Sequence, residues 1–422
     1  MWPESQQTVE TVWKTRPDNM GALKGVRVVD LSRVLAGPLC TQMMADHGAD
    51  VIKIEPPFGD ETRQLGPPFD ENGIAAYFSA INRGKRAMAL DLNQPDERKV
   101  LLALLEEADV LVENFLPGTM EKWGLGYESV LAERFPRLVY CSISGFGDSG
   151  PCGGMPGYDA VLQAMCGLMS INGSPESGPT RIGIPIVDHL TAYTAMNGIS
   201  LALLNRAHSG QGQRVEATLY DTALSLLVPH AANWMQSGRT QPLLGSAHPN
   251  ISPYDSFQAR DGAVFLGIVN DGQFRRFCRC IERPELVEDT RFATNASRIS
   301  HREALRAEIE TSLAQHGKTE LCARLMAQGV PAAPINSVAE ALEHPHARHR
   351  DMRVERPGYQ GLGLPIKLHG SPGKPGANPP RFAEHDHITT TLMATRQGSS
   401  AQGETSPNNA AELTTGGTAE SP

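Results

Sequence analysis

The sequence predicts an α/β protein, with an open Rossmann-like parallel sheet in a large domain and a smaller α+β domain. Three observations lead to this fold class. Short apolar, strand-like runs alternate with helical periodicity from residue 26 to residue 145, which is the pattern of βα units in a parallel sheet. The chain has 422 residues, a length at which single cores usually divide. After residue 256 the pattern changes to a hairpin followed by helices with charged faces.

The elements of the large domain follow from the spacing of apolar residues. Strands are predicted at 26–31, 51–55, 87–92, 110–114, 138–143 and 213–217, and helices at 36–47, 94–108, 158–169, 191–205 and 219–235. Pro229 is expected to kink or divide the last helix. The apolar run at 181–187 is predicted as one more short strand, which ends just before Asp188. Ligands of such a sheet are expected outside the carboxyl ends of its strands.

The smaller domain begins with strands at 254–259 and 263–269, joined across an Asp-Gly turn that is typical of hairpins. Helices follow at 272–281, 301–315 and 319–328, and strand and loop texture returns at 335–350, 352–356 and 363–367. The predicted organisation is a flexible tail at 1–20, the first part of the large domain at 21–225, a linker at 226–255, the small domain at 256–335, a returning linker and the last part of the large domain at 336–395, and a disordered tail at 396–422.

Composition narrows the function classes. The chain is 40% hydrophobic and 20% charged with a net charge of −9, so it carries no sign of a nucleic-acid surface. The N-terminus lacks an apolar segment, and the sequence contains no run of 18 apolar residues, so neither a signal peptide nor a membrane span is predicted. Seven scattered cysteines are typical of reduced thiols in a cytoplasmic protein. The C-x-C at Cys278 and Cys280 has no partner pair, so no metal site is predicted.

The stretch from 138 to 191 carries the strongest functional signal. A buried strand is predicted to end near Gly145 and Gly147, where glycines and prolines let the backbone approach a ligand. Asp188 follows the next predicted strand and precedes an apolar helix. One interpretation makes Asp188 a helix N-cap. The other makes it a partly desolvated, reactive carboxylate, and the two roles are compatible because a helix N-terminus stabilises an anion.

Other candidate residues are less specific. The sequence has neither G-x-G-x-x-G after the first strand nor the G-x-x-x-x-G-K-[ST] phosphate loop. Lys85 and Arg86 belong to the cluster at 82–86, where basic side chains flank a glycine, and Arg63 lies in a loop rich in proline and glycine. These side chains are candidates for phosphate binding or parts of solvated turns. His248 lies alone in a connector, where a structural role competes with a catalytic one.

Several ordered motifs together resemble the class III coenzyme A transferases, of the formyl-CoA transferase and carnitine-CoA transferase type. They are GVRVVDLSRVLAGP at 25–38, GADVIKIEP at 48–56, NRGKRAMALDL at 82–92, DVLVENFLPG at 109–118, GLGY at 124–127, SGFG at 144–147 and GYD at 157–159, together with Asp188. The resemblance spans residues 21 to about 380. The motifs at 245–249 and 253–254 are similar to the succinyl-CoA:glutarate branch of that family.

The resemblance implies a mechanism in which Asp188 attacks the thioester of an acyl-CoA, with succinyl-CoA as the expected donor. The reaction then passes through an anhydride and an enzyme-bound CoA thioester. Finally, CoA is transferred to a carboxylic acid, which is expected to be a dicarboxylic acid. No permanently bound cofactor or metal is implied, and coenzyme A is a substrate. The implied assembly is an interlocked homodimer of ring-like chains.

Residue roles follow from the same resemblance. CoA contacts are expected at Leu35, Asn114, Phe115, Lys122 and Trp123. On the basis of their charge, and not of the resemblance, Arg63, Lys85 and Arg86 are candidates for the phosphates. Around Asp188, supporting roles are expected for Tyr158, for the backbone of Gly145 and Gly147 as oxyanion donors, and for His248, which with Arg181 is a candidate contact to the acceptor carboxylate. Some family members carry arginine where this chain has Pro56, so phosphate binding there is an open question.

Two alternatives stay open. An α-methylacyl-CoA racemase of the same fold needs a histidine where this chain has Tyr158, and tyrosine, with a reference pKa of about 10, is a poor base near neutrality. A non-catalytic CoA-binding protein is the other alternative. The acceptor acid is not readable from the sequence.

Overall fold

A computed structural model describes residues 12–13 and 21–392. Its centre is a sheet of six parallel strands in the order β3-β2-β1-β4-β5-β8. These strands are β1 (Arg27–Asp30), β2 (Asp50–Glu55), β3 (Arg86–Ala89), β4 (Val110–Glu113), β5 (Val139–Ser144) and β8 (Arg214–Thr218). The predicted parallel α/β sheet is therefore confirmed.

Helices cover both faces of this sheet. Five of these helices are α1 (Ala36–Asp46), α3 (Pro95–Leu105), α6 (Asp159–Met165), α8 (Ile186–Ser209) and α9 (Leu219–Ser225). Five more are α2 (Ala76–Ile81), α4 (Thr119–Lys122), α5 (Ala132–Arg134), α7 (Leu168–Ile171) and α10 (His230–Ser237). A two-stranded ribbon of β6 (Gly173–Ser174) and β7 (Gly178–Pro179) precedes α8.

Two hydrophobic cores lie on opposite faces of the parallel sheet. Successive residues of β1 show the division, because Val28 packs with α1 and α8 in one core, whereas Val29 packs with α3 in the other. Both side chains are fully buried. This alternation is the period of two that a strand imposes, and burial on both faces explains why the strands are apolar throughout.

Residues 254–334 form a third core. The predicted hairpin of β9 (Tyr254–Ala259) and β10 (Gly262–Gly267) is present, and β11 (Ala332–Pro334) extends it to an antiparallel sheet. The helices against it are α11 (Asp271–Cys280), α12 (Asn295–Ser300), α13 (Arg302–Leu313) and α14 (Lys318–Ala327). The apolar residues of these elements form one cluster of their own.

Two predictions about elements were wrong. Residues 181–185 form no strand, because Pro185 precedes a helix that begins at Ile186 and continues to Ser209. Residues 335–350 are not strand and loop but hold α15 (Val338–Glu343), started by a Ser337 capping box, and α16 (Pro345–His349). The other two segments agree with the predicted strand and loop texture, because 352–356 holds β12 (Arg353–Arg356) and 363–367 is loop. The strand β13 (Tyr359–Leu362) lies between them.

The termini differ in part from expectation. Val12 and Trp13, within the predicted flexible tail, are buried in the core beside α3, and the Val12 carbonyl accepts a hydrogen bond of 2.6 Å from Arg86. The predicted disordered tail at 396–422 lies outside the described residues, as does the rest of 1–20. As predicted, Pro229 divides the helical segment at 219–235, and it caps the start of α10. No helix in the described part of the chain is long and apolar enough to cross a bilayer.

Candidate active site

A cleft lies where the strand order of the parallel sheet reverses, between β1 and β4. At such a switch point the loops after the two strands diverge and leave a crevice. The cleft has a volume of about 270 Å³. Its walls are residues 33–36 after β1, 114–117 after β4, 143–145 at the end of β5, 155–158 before α6, and Asp188. The predicted site residues Leu35, Asn114, Phe115, Gly145, Tyr158 and Asp188 therefore meet in one cleft.

Asp188 lies in the first turn of α8, as its third residue. It is neither at a strand end nor the N-cap, a position that Pro185 occupies. Burial, together with the neighbouring charge of Asp159, raises the pKa of the Asp188 carboxyl from its ordinary 3.8 to about 7. Such a carboxylate is more basic than an exposed one and is still substantially charged at neutral pH.

Asp159 fixes the helix turn that carries Asp188. One oxygen of its carboxylate accepts hydrogen bonds from the backbone N–H groups of Val187 at 2.7 Å and Asp188 at 3.2 Å. These are two of the donors that the first turn of a helix leaves unpaired. The other oxygen accepts from Gln163 at 2.6 Å, and the Gln163 carbonyl oxygen accepts from Ile182 N–H at 2.8 Å. Asp159 belongs to the GYD motif at 157–159, but no sequence pattern predicts this capping role.

Tyr77 is a residue that sequence reasoning missed. Burial and the charges of Asp188, Asp159 and Asp60 raise the pKa of its phenol to about 12. Tyr77 lies on α2, and its phenol is within electrostatic range of the Asp188 carboxylate. Its hydroxyl stays protonated at neutral pH, so the Tyr77 side chain is able to donate a hydrogen bond. No spacing rule links residues 77 and 188, so only the fold reveals the pair.

Asn114 and Phe115 follow β4, as the resemblance implied, and both make hydrogen bonds to neighbouring groups of the protein. The Asn114 side-chain amide bonds the backbone of Arg33 twice, accepting from its N–H at 2.8 Å and donating to its carbonyl at 2.7 Å. The Phe115 N–H donates to the Glu113 carboxylate at 2.8 Å, and its ring meets Trp123 edge to face at 5.1 Å. Burial raises the pKa of Glu113 to about 7.

A second pocket, of about 290 Å³, adjoins the cleft. Arg33, Phe115 and Leu116 line both spaces. The second pocket lies over the carboxyl ends of β1 to β4 and includes Pro56 and Trp123, whose indole N–H donates to Asn93 at 3.0 Å. Lys122, next to Trp123, is exposed and does not line either space. A long ligand can thus extend from Asp188 past Arg33 into the second pocket.

The three cations predicted for phosphate are already paired. Arg63 is bound by both oxygens of Glu55, at 2.8 and 2.6 Å, and its guanidinium lies 3.7 Å from the Phe78 ring centroid. Arg86 pairs with Asp50 at 2.7 Å. None of the three lines the cleft or the second pocket.

Lys85 is the most deeply buried of these cations. Its amine donates to Asp30 at 2.9 Å and to Pro38 O and Asn82 at 2.8 Å. Burial lowers the pKa of Lys85 to about 8. The phosphate prediction does not fit these positions of Lys85, Arg63 and Arg86, because the sequence showed their charge but not the carboxylates that neutralise it.

The remaining predicted residues divide between the cleft and its surroundings. Gly145 lines the cleft and packs against Gly157, where an added Cβ would lie 2.8 Å from the Gly157 Cα. Gly147 is not in the cleft, and its N–H already donates to the Ser144 hydroxyl at 2.9 Å, so the predicted oxyanion role does not fit it. Tyr158 lines the cleft and is 68% exposed.

His248 and Arg181 lie outside the cleft. The His248 ring packs against Tyr254 with centroids 5.3 Å apart, and its Nδ1 accepts from the Asn250 N–H at 3.0 Å. The Arg181 guanidinium donates to the carbonyls of Ile182 and Gly183, both at 3.3 Å. In this chain by itself, these contacts give both residues a local structural role.

Curated relatives are similar over nearly their whole length. A succinate–glutarate CoA-transferase of Agrobacterium fabrum is 40% identical over 380 residues, which are 87% of this chain and 95% of the relative. A succinyl-CoA:mesaconate CoA-transferase of Haloarcula marismortui is 41% identical with the same coverage, and the human succinyl-CoA:glutarate CoA-transferase is 34% identical over 90% of this chain and 89% of its own.

Solved structures and a family model agree with these relatives. A CAIB/BAIF family protein from Brucella suis superposes with a TM-score of 0.81 at 41% identity, covering 88% of this chain and 99% of that one. The model of CoA-transferase family III matches residues 23–386. The chain therefore belongs to CoA-transferase family III and is a CoA-transferase.

Proposed function

We propose that this enzyme moves coenzyme A from succinyl-CoA to a dicarboxylic acid, with Asp188 as the nucleophile. The substrate class comes from the relatives at 34–41% identity, whose names specify succinyl-CoA, succinate, glutarate or mesaconate. The observation that carries the proposal is the position of Asp188, a partly buried carboxylate with a pKa near 7 in a cleft that continues into a second pocket.

The proposed reaction proceeds through the Asp188 carboxyl group. A carboxylate oxygen attacks the thioester carbonyl of the donor, the C–S bond breaks, and CoA leaves as its thiolate while an aspartyl anhydride forms. The thiolate then attacks the aspartyl carbonyl, so that the donor acid leaves as its carboxylate and Asp188 carries CoA as a thioester. The acceptor carboxylate takes the CoA by the reverse sequence, and Asp188 returns to its starting state.

The surroundings of Asp188 suit this chemistry. A pKa near 7 makes the carboxylate a better nucleophile than an exposed aspartate, since basicity and nucleophilicity rise together. The aligned backbone dipoles of α8 favour negative charge at its N-terminus. The Tyr77 hydroxyl and the backbone at Gly145 are our candidates for donors to the oxyanion of each tetrahedral intermediate.

Coenzyme A is proposed to lie across the two pockets. Its thiol end would meet Asp188, its pantetheine arm would pass Leu35 and Phe115, and its nucleotide end would occupy the second pocket beside Trp123. Arg33 replaces the paired cations as our candidate for the phosphates, because it lines both spaces and its nearest carboxylate oxygen, on Glu61, is 3.7 Å away. Lys122 stays a candidate at the exposed rim.

An interlocked homodimer remains our proposal for the assembly. The support in this chain is the apolar surface that one copy leaves exposed: Leu201 and Leu204 on α8 are 67% and 60% exposed, and Val228, Trp234 and Met235 around α10 are 74%, 57% and 75% exposed. A monomer rarely leaves side chains of this size open together. The predicted domain boundaries and cytoplasmic location also remain proposals; the latter fits seven free cysteines.

Two measurements test the proposed function. Wild-type enzyme should transfer CoA from succinyl-CoA to members of a panel of dicarboxylic acids, followed by mass spectrometry, whereas Asp188→Ala and Asp188→Asn should lose transfer. Hydroxylamine added with the donor should label Asp188 in the wild type. Asp96→Asn, which changes an exposed carboxylate on α3, is the control and should behave as wild type. Transfer by Asp188→Ala, or labelling at another residue, would refute the proposed nucleophile.

A further inference from the structure

The turn between β1 and α1 contains a strained residue at the wall of the cleft. Val34 has a φ of +68°, and it lines the cleft together with Leu35. A left-handed backbone is a genuine outlier for a β-branched residue, because its Cβ substituents crowd the neighbouring peptide groups. Such a conformation persists only where the surrounding structure holds it.

Two buried amines hold the turn on either side of Val34. Lys53 donates to the carbonyl of Ser32 at 2.7 Å, and Lys85 donates to the carbonyl of Pro38 at 2.8 Å. Both lysine side chains are fully buried. They anchor the ends of the segment, which leaves the peptide groups next to Val34 to be held by something else.

Asn114 provides that contact. Its amide accepts from the Arg33 N–H and donates to the Arg33 carbonyl, at 2.8 and 2.7 Å, so one side chain holds both peptide groups of the residue before Val34. Asn114 directly follows β4, which pairs with β1 in the sheet. The clamp therefore joins the two loops that diverge at the switch point and form opposite walls of the cleft.

We propose that Asn114 is a positioning residue for CoA-thioester binding, acting through the backbone of Arg33 to keep Val34 left-handed and the cleft wall preformed. This inference rests on the proposed function, and it assigns to Asn114 an indirect role in place of a direct contact with coenzyme A. If the turn adopted its binding-competent conformation in only a fraction of the molecules, the apparent affinity for the donor would be reduced by that fraction.

The test is a double-mutant cycle of Asn114→Ala and Val34→Gly. Asn114→Ala should raise KM for succinyl-CoA by about tenfold or more, because two hydrogen bonds are lost, with a smaller change in kcat. Glycine adopts a positive φ without strain, so in the Val34→Gly background the same substitution should raise KM by less than about threefold. Each comparison is made within one background, so the loss of the Val34 side chain from the cleft cancels.

Hydrogen exchange of the peptide spanning residues 31–36 gives a readout that does not depend on activity. Asn114→Ala should speed exchange of the Arg33 amide, whereas Asn378→Ala, which removes another backbone-bonding amide far along the chain, should leave that peptide and KM unchanged. If Asn114→Ala does not fold, Asn114→Ser serves in its place.

Three results would overturn the clamp. The first is an unchanged KM in Asn114→Ala, and the second is unchanged hydrogen exchange of the Arg33 amide. The third is an equal rise of KM in the wild-type and Val34→Gly backgrounds, which would indicate a direct contact between Asn114 and coenzyme A. Failure of the wild-type enzyme to transfer CoA would instead refute the proposed function, and the exchange experiment would then still decide whether the clamp exists.

Discussion

The pH dependence of the donor half-reaction follows from the pair of carboxylates at the start of α8. Asp188 must be ionised to attack the thioester, and its pKa is raised to about 7 by burial and by Asp159. We predict that kcat/KM for succinyl-CoA is constant above about pH 8 and falls as the pH drops through 7. Asp159→Asn removes the neighbouring charge while an amide oxygen can still accept from the first turn, so the midpoint of the profile should move to lower pH.

The size of the effect is large enough to measure. With a pKa of about 7, about one Asp188 in eleven is ionised at pH 6, whereas with the ordinary value of 3.8 nearly all would be. The wild-type kcat/KM at pH 6 should therefore be about a tenth of its plateau. Since burial is the larger of the two causes, Asp159→Asn should recover only part of this loss.

The assay must separate Asp188 from the substrate, because the 3′-phosphate of coenzyme A also titrates near pH 6. That titration is common to both enzymes, so the difference between their profiles reports the protein alone, and a dephospho-CoA thioester removes it altogether. Gln163→Ala, which deletes a contact to Asp159 without removing charge, is the matched control and should keep the wild-type midpoint. A wild-type midpoint below about pH 5, or an Asp159→Asn midpoint equal to that of wild type, would refute the reasoning.

Further predictions concern stability and substrate binding. Because the pKa of Asp188 is raised on folding, its ionised carboxylate destabilises the folded state fully above pH 7 and not at all below about pH 4. Asp188→Asn should therefore increase the free energy of unfolding by up to about 4 kcal/mol at pH 8. Urea titrations should show that this increase becomes smaller as the pH falls. Gly145→Ala should lower the free energy of unfolding by about 1–3 kcal/mol, because the added Cβ would press on Gly157. Gly370→Ala is the control and should change the free energy of unfolding little, because no atom lies within 4 Å of the added Cβ. Equal losses of stability in the two variants would contradict the close approach of Gly145 and Gly157. Arg33→Met should raise KM for CoA thioesters about tenfold at low ionic strength and less at high salt, and an unchanged KM would exclude Arg33 from phosphate binding.

Most of the parallel sheet was predictable because burial on both faces leaves a local signature. The runs that became β1, β2 and β5 are short, apolar and bounded by turn residues, so each could be recognised without its neighbours. The segment at 181–187 has the same apolar character but became loop and helix. Its Pro185 is compatible with a helix start as well as with a strand end, and only the unbroken helix down to Ser209 decides between them.

The charged residues show why a site is harder to predict than a sheet. Lys85 and Arg63 looked like phosphate ligands because their charge and flanking glycines are visible in the sequence. Their partners, Asp30 and Glu55, lie 55 and 8 residues away and reach them only through the fold. Buried cations that are already paired are structural, whereas Arg33, which carried no distinguishing local pattern, lines both pockets.

Asp188 was predictable in part: the sequence indicated its reactivity, but not the element that carries it. The sequence argument for its reactivity was desolvation at a strand end, and the desolvation is real although the strand is not. The change of element matters for the chemistry, because the N-terminus of a helix favours the carboxylate whereas burial and Asp159 favour the neutral acid. Asp159, 29 residues earlier in the chain, caps the turn through one of its oxygens and raises the pKa of Asp188 through its charge. One side chain thus fixes the nucleophile in place and keeps it basic, which links the geometry of the turn to the rate of acyl transfer.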